Sequence, residues 1–424
     1  MKRKLAILLS CLTLILIFSP LSVHAKDYTE EDTLSSENIV VYNVDMGISV
    51  YRKNHLEKVS PGNSVKLMTA LLALEYFEGR LDTILTVPYA ATRGLKVPVL
   101  GLKENEEISV LDLIHATLVA GMNDTANTLA LVIGGNIKNF VNLMNEKAKE
   151  LGAFDTLYLD ATGLSSSDYT TAYDTARIAA YAYENKLFME ICSKTVYTVS
   201  ETDFRDPTKI FTSNSLLISS NKYYYRYAEG MSVDYSDENG AQLVCAASHG
   251  NYAYICVAFG SKKDESGTIG GYSDIKNLLS WSSGNFAERK ILDTSQIICE
   301  LPVRAGKDVA HVLIVPYKSV YAFFDKDTDL SNITLVENLY YDRLDAPVQK
   351  GDCVGFVTII LDGVPIGTTF LIAKSNIRQS SFGGLMLKAE KLITHPIFIV
   401  SVLISLFVLC ISVLIKRKKK LQKN

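Results

Sequence analysis

Nineteen residues from Ile397 to Ile415 carry no charge, and Lys416, Arg417, Lys418, Lys419 and Lys420 follow at once. A helix of about 20 apolar residues crosses the hydrocarbon core of a bilayer, and positive charge is retained on the cytoplasmic side. The pattern predicts a single transmembrane helix at 397–415, a basic cytoplasmic tail at 416–424, and an extracytoplasmic body before it. A buried core helix is the competing reading; the adjacent basic cluster argues against it. At the other end, Lys2, Arg3 and Lys4 precede an apolar run from Leu5 to Leu21, and Val23-His24-Ala25 offers small residues for cleavage. Residues 1–25 therefore read as a secretory signal, with an uncleaved anchor as the alternative. Residues 378–396 form a juxtamembrane segment. Its Leu385, Met386, Leu387, Lys388, Lys391 and Leu392 suit either an amphipathic helix on the membrane surface or a plain linker.

What lies between the signal and the anchor is about 370 residues, enough for two domains. The formal net charge of −3 hides an asymmetry. Three basic residues open the chain and six close it; the remaining 34 face 46 acids, leaving the exported part at −12. That balance argues against nucleic acid as a partner. Five exported cysteines (Cys192, Cys245, Cys256, Cys299 and Cys353) show no metal-binding spacing, and so read as buried apolar residues. Cys245 and Cys256 fall on neighbouring predicted strands, which leaves one bridge between them open. The six histidines are scattered, so neither a metal nor a cofactor is expected.

A hairpin is predicted at Glu37–Tyr51, turning at Asp45-Met46-Gly47. Helical patterns follow at Ser64–Glu78, from Val110 to about Leu151, and at Thr171–Ser193. Strands return at Gly230–Ser232, Ala241–Ser248 and Tyr252–Gly260, before a helix at Ser273–Phe286. Strands from both ends and helices between them imply an α/β unit over 26–289, an antiparallel sheet covered by helices. From 290 to 377 six short strand-like runs alternate with turns, which predicts a small all-β domain.

Several stretches resemble one known family. They are Leu67-Met68-Thr69-Ala70, His115-Ala116-Thr117-Leu118, Asn123-Asp124-Thr125-Ala126-Asn127 and Phe140 through Ala148. Asp160-Ala161-Thr162-Gly163-Leu164, Tyr169 through Asp174, and Trp281 with Asn285-Phe286 extend the set. Together with the β domain and anchor, they are similar to the serine-type D-alanyl-D-alanine carboxypeptidases, the low-molecular-weight penicillin-binding proteins. The resemblance spans nearly the whole chain and implies the beta-lactamase/DD-peptidase fold. It also implies three motifs. Ser-x-x-Lys places a nucleophile and its activating lysine one helical turn apart. Ser-x-Asn adds a second hydroxyl and a substrate-holding amide. Lys-Thr-Gly on the sheet edge binds the substrate's terminal carboxylate.

None of the three is intact here. Lys66 stands at the motif lysine, but three residues earlier is Asn63, whose amide cannot attack a carbonyl. Ser64 is the alternative nucleophile, yet positions two apart on a helix point about 200° away from one another. The second motif reads Gly121-Met122-Asn123, without its hydroxyl. The third reads Ser232-Val233-Asp234, so a carboxylate stands where a carboxylate would be received. Ser219-Ser220-Asn221-Lys222 and Ser273-Asp274-Ile275-Lys276 also fit Ser-x-x-Lys, but neither is followed by Met-Thr-Ala. Lys66 is expected within reach of Asp234 or Asn123 in a closed remnant of the cleft.

The resulting expectation is a membrane-anchored, catalytically inactive member of this family at the bacterial cell wall. It would bind peptidoglycan peptide, or regulate through a membrane or cell-wall protein. Two alternatives stay open: an active carboxypeptidase trimming stem peptides through Ser64, and a structural spacer that docks to a membrane complex.

Overall fold

The computed structural model describes residue 28 and residues 33–421; the expected signal sequence lies outside them. The chain divides into two compact units, one reaching Ala287 with Phe323–Asp327 added, the other comprising 288–322 and everything from Thr328 onward.

The first unit is built on strands β1 (Asn38–Asn43) and β2 (Ile48–Lys53), the hairpin that the sequence predicts. Helix α1 (Val65–Tyr76) follows. A short pair, β3 (Ile84–Thr86) with β4 (Glu107–Ser109), brackets a long loop. The helical stretch expected from Val110 to Leu151 is three helices: α2 (Val110–Val119), α3 (Asn123–Gly134) and α4 (Ile137–Glu150). Gly121 and Gly135 break it, at φ of 66° and 71°, a backbone region that side chains with a Cβ avoid. Then come α5 (Ala172–Tyr183) and α6 (Lys186–Cys192). The hairpin β5 (Val196–Val199) and β6 (Thr208–Phe211) was not foreseen. Long strands β7 (Ala228–Ser236), β8 (Gly240–His249) and β9 (Tyr252–Ser261) precede α7 (Gly271–Asn285).

The main sheet has the order β2-β1-β9-β8-β7 and is antiparallel throughout. Its two faces feed two cores, as the period-two alternation of strands requires. Val40, Val244, Ala246, Ile255 and Val257 pack with the helical set α1 to α6. Ile39, Val41, Leu243, Cys245 and Cys256 pack with Ile275, Leu278 and Leu279 of α7. Covering both faces explains why β8 and β9 read as nearly unbroken apolar runs. Cys245 and Cys256 are register partners, but both are free thiols. Burial pushes Cys245 up to about 12 and Cys256 well above its ordinary value, which keeps both thiols protonated and inert.

The second unit takes up most of β10 (Phe286–Leu292), all of β11 (Cys299–Arg304) and β12 (His311–Pro316), and the first half of β13 (Val320–Asp325), whose Phe323–Asp325 belong to the first unit. Strands β14 (Ile333–Leu339), β15 (Leu344–Asp345), β16 (Cys353–Leu361) and β17 (Val364–Ala373) complete it. Six of these form a sheet in the order β14-β16-β17-β12-β11-β15, the small β domain that the sequence implies. Helix α8 (Ser381–Ile393) begins at Ser380, whose Oγ accepts from Gly383 N–H. Only Gly384 and Leu387 of α8 are buried; Phe382, Leu385 and Met386 stand exposed. Helix α9 (Pro396–Leu421) contains all of Ile397–Ile415, and its apolar side chains from Ile397 to Ile411 are exposed. Among the described residues no single helix is long and apolar enough to cross a membrane. Ser381–Ile393 and Pro396–Ser412 meet that measure together, bent by 62°.

Candidate functional site

Helix α1 starts from a tight 3-10 turn at Gly62–Ser64, and Lys66 is its second residue. The lysine is only 2% exposed. Its ammonium donates to Asn63 Oδ1 at 2.5 Å and to the Thr162 carbonyl at 2.7 Å. Burial draws Lys66 down to about 8, and the charges of Asp234 and Asp160 pull partly back. An amine with this pKa is suited to removing a proton near neutral pH. What stands one helical turn away, however, is an amide oxygen that accepts from it, not a hydroxyl that it could activate.

Asn63 is bound on every side. Its backbone N–H donates to Asp234 Oδ2 at 3.0 Å, and its Nδ2 donates to the Val233 carbonyl at 3.3 Å. With the Lys66 contact these bonds stitch the start of α1 to strand β7. The Asn63 amide also fills the space beside Gly121. A Cβ built on Gly121 would lie 3.1 Å from Asn63 Nδ2, closer than ordinary van der Waals contact. Two of the altered motif positions are therefore fitted to each other: the larger residue at 63 lies where a side chain at 121 would go.

The third motif is fitted to the same residues. Ser232, Val233 and Asp234 lie on β7 in register with Val244, Leu243 and Gln242. Asp234 Oδ1 accepts from the N–H of Tyr235 at 2.8 Å, while Oδ2 faces the turn. A Cβ on Gly62 would come within 2.8 Å of that oxygen, and the φ of Gly62 is 51°, so position 62 excludes a side chain on both counts. The direct partners of Lys66 are thus Asn63 and Thr162, and Asp234 reaches it through charge. Asn123 is engaged elsewhere. Its Nδ2 donates to the Lys96 carbonyl at 2.8 Å, and its buried Oδ1 has no partner.

Ser64 does not face Lys66. Its Oγ donates back to the Pro61 carbonyl at 2.6 Å, and the residue is 5% exposed. The helical-angle argument from the sequence gives the same direction. Of the other Ser-x-x-Lys matches, Ser219 and Ser220 are exposed in an irregular stretch, where Lys222 bonds Thr268 Oγ1 at 3.2 Å. Ser273 and Lys276 belong to α7, which packs on the opposite face of the sheet.

Several residues to which the sequence assigned no role in the site also shape it, Asp124, Asp160 and Gly163 having been named only within family-like stretches. Asp160 holds the loop that presents the Thr162 carbonyl: Oδ1 accepts from the N–H groups of Thr162 and Gly163, and Oδ2 from that of Ser165, each at 2.6 Å. Gly163 lets this loop approach α1, since a Cβ there would fall 1.9 Å from the Gly62 carbonyl. Asp124 Oδ1 accepts from Leu100 N–H, and its Oδ2 from Gly101 and Leu102 N–H, at 2.8–2.9 Å. That pins the loop bearing Lys96 onto the start of α3. Arg205 joins the same loop to the unforeseen hairpin through the buried Glu106 and the Leu100 carbonyl. The Asp-Ala-Thr-Gly run at 160–163 is a turn signal in sequence, but the carbonyl it aims at Lys66 is not.

The space left among Asn63, Lys66, Gly121, Asn214, Met231 and Ser232 is a cavity of about 20 Å³. That is room for about one water molecule, far below the several hundred Å³ of a usual ligand pocket.

Comparison with known proteins bears on this fold and site together. Residues 25–263 match the family model of D-alanyl-D-alanine carboxypeptidases. Residues 286–379 match the C-terminal domain of penicillin-binding protein 5. The D-alanyl-D-alanine carboxypeptidase DacF of Bacillus subtilis is 26% identical over 392 residues, covering 90% of this chain and 96% of the relative. DacC of Escherichia coli is 25% identical over 380 residues, covering 87% and 90%. Among solved structures, penicillin binding protein 5 of Haemophilus influenzae superposes with a TM-score of 0.61 at 24% identity, covering 82% of this chain and 98% of that one. PBP3 of Streptococcus pneumoniae gives 0.60 at 20%, covering 81% and 100%. With its peptidase-like unit and its C-terminal β domain both matched, this chain belongs to the D-alanyl-D-alanine carboxypeptidase family of cell-wall metabolism.

Proposed function

We propose that this protein is an extracytoplasmic, membrane-anchored member of its family that has lost the peptidase reaction and acts at the cell wall as a peptidoglycan-binding or regulatory protein. The observation that carries this reading is the pairing of Lys66 with Asn63. The lysine is buried and drawn toward neutrality, as an activating base would be, yet the atom it holds is an amide oxygen. Acyl transfer needs a nucleophile that can lose a proton to such a base. The loss of the hydroxyl at Gly121 and of the cation at Ser232 points the same way. Ser64 is a poor substitute, because its hydroxyl is spent on the Pro61 carbonyl. The uncharged run within α9 and the basic residues after it support the anchor.

Fluorescent penicillin labelling of the purified protein tests the reading. No covalent adduct is expected, under conditions that label an active relative. An adduct mapped to Ser64 and abolished by Ser64→Ala would overturn it in favour of an active carboxypeptidase.

A further inference from the structure

The six-stranded sheet of the second unit has two edges of different character. One is β15, two residues long and paired with β11. The other is β14, seven residues of sequence Ile-Thr-Leu-Val-Glu-Asn-Leu. Short strands, proline and lysine are common means of blunting an edge, and β14 uses none of them. Its pairing with β16 shows which backbone groups point away. Tyr340 N–H donates to the Val354 carbonyl at 2.8 Å, and the register continues through Asn338–Phe356, Val336–Thr358 and Thr334–Ile360. The even-numbered residues therefore bond β16, because bonded and non-bonded pairs alternate along an antiparallel ladder. The N–H and C=O groups of Leu335, Glu337 and Leu339 face outward, as does the carbonyl of Ile333, whose N–H turns back to Leu330. The side chains at these odd positions lie on the face where β16 buries Val357, Ile359 and Leu361. Val336 stands on the other face, 44% exposed.

We infer that this edge is a self-association surface: two copies of the chain pair β14 with β14, antiparallel about a two-fold axis at Val336, and join their β domains in one continuous sheet. The strand's own sequence selects the partner and the register. An axis at Val336 sets Ile333 against Leu339 and Leu335 against Glu337, overlaps the whole of 333–339, and faces the outward groups of one copy with those of the other. An axis between two residues would set outward groups against groups already bonded to β16. An axis at Glu337 would place two carboxylates directly opposite, a destabilising pair of like charges. An axis at Leu335 would pair only 333–337. The Val336 axis also carries the exposed end bearing Arg343 toward the exposed Asp329 of the other copy. Seven residues a side falls short of the roughly 20 of a stable interface, so the pairing is transient. It draws on the second unit alone and stands apart from the reading of the peptidase motifs.

Thiol trapping tests this on the full-length protein in detergent. At the axis, Val336 meets its counterpart as a non-hydrogen-bonded pair with Cα atoms about 4.5 Å apart, inside the range that a disulfide spans. Thr334 falls opposite Asn338, so the two copies of position 334 lie about 14 Å apart along the strands, beyond that range. All three positions are exposed, so cysteine there leaves the fold intact. Val336→Cys should form a disulfide-linked dimer on mild oxidation, well above the background from the native Cys353 and Cys410. Thr334→Cys alone should stay at background, and mixing it with Asn338→Cys should restore the link. Amide exchange at Leu335, Glu337 and Leu339 should slow about threefold or more from dilute to concentrated protein. Val336→Lys, which sets like charges at the axis, should abolish that dependence. Equal linking at 334 and 336, linking at neither, or exchange that ignores concentration would overturn the inference. So would linkage of Val336→Cys in cell membranes to a different protein in preference to itself, which would assign the edge to a foreign strand.

Discussion

The fit between Asn63 and Gly121 can be measured as a coupling energy. Gly121→Ser places a Cβ at a φ of 66°, which costs about 1–2 kcal/mol for an L-residue. The new Cβ also lies 3.1 Å from Asn63 Nδ2. Asn63 cannot swing aside freely, because its side chain holds Lys66 and the Val233 carbonyl. Weakening either bond adds about 1 kcal/mol or more. The single substitution should therefore cost about 2–4 kcal/mol. Asn63→Ser removes the obstructing amide and leaves a hydroxyl able to accept from Lys66, so it should cost about 1–2 kcal/mol alone. In the double variant only the backbone strain at 121 remains to be added. The two costs should fall short of additivity by about 1–2 kcal/mol, well outside the scatter seen for independent sites. Urea unfolding followed by Trp281 fluorescence reads this directly, since that residue belongs to the first unit. Additive costs, within about 0.5 kcal/mol, would refute the idea that the two positions are fitted to each other.

Other expectations follow from buried charge. Lys66 is drawn from 10.5 down to about 8, so the folded state binds fewer protons than the unfolded state between these values. Stability should rise with pH across that window by at most about 3 kcal/mol, and the rise should vanish in Lys66→Met, as read from urea midpoints between pH 7 and 10. Asp168 is raised from 3.8 to about 6, first by its own burial and then by Asp160. A carboxylate raised in the folded state loses stability as pH rises from about 4 to 6, so Asp168→Asn should melt higher than the native protein at pH 7, by up to about 3 kcal/mol, and lose that advantage near pH 4. Glu106 is fully buried against Arg205, and removing one partner of a buried pair costs about 3–5 kcal/mol. Arg205→Ala should show that loss in urea unfolding, with faster amide exchange confined at first to residues 96–103.

The parts of this molecule legible from sequence are those whose cause is local. Ile39, Val40 and Val41 alternate between two cores, and the alternation is visible in the chain itself. So is the uncharged run from Ile397 to Ile415, and the three-residue interval from Asn63 to Lys66. The β5–β6 hairpin escaped notice because each strand is four residues long and buries little beyond Val199 and Ile210. The contacts that give the site its shape are of another kind. Asn63 and Asp234 are 171 residues apart, and the Thr162 carbonyl meets Lys66 across 96. No periodicity encodes which carbonyl a buried lysine will find. The sequence shows three altered motifs as separate facts; only the fold shows Gly121 and Asp234 meeting at Asn63.

That meeting makes three distant positions depend on one another. A chain with serine at 63 gives up the amide that binds Val233; one with a side chain at 121 meets Asn63; one without the carboxylate at 234 frees an N–H at the start of α1. Each of these changes made alone lowers stability, because each of the three positions is held by the others. The centre of the cleft can therefore change only as a set, whereas its surfaces and loops can change one residue at a time.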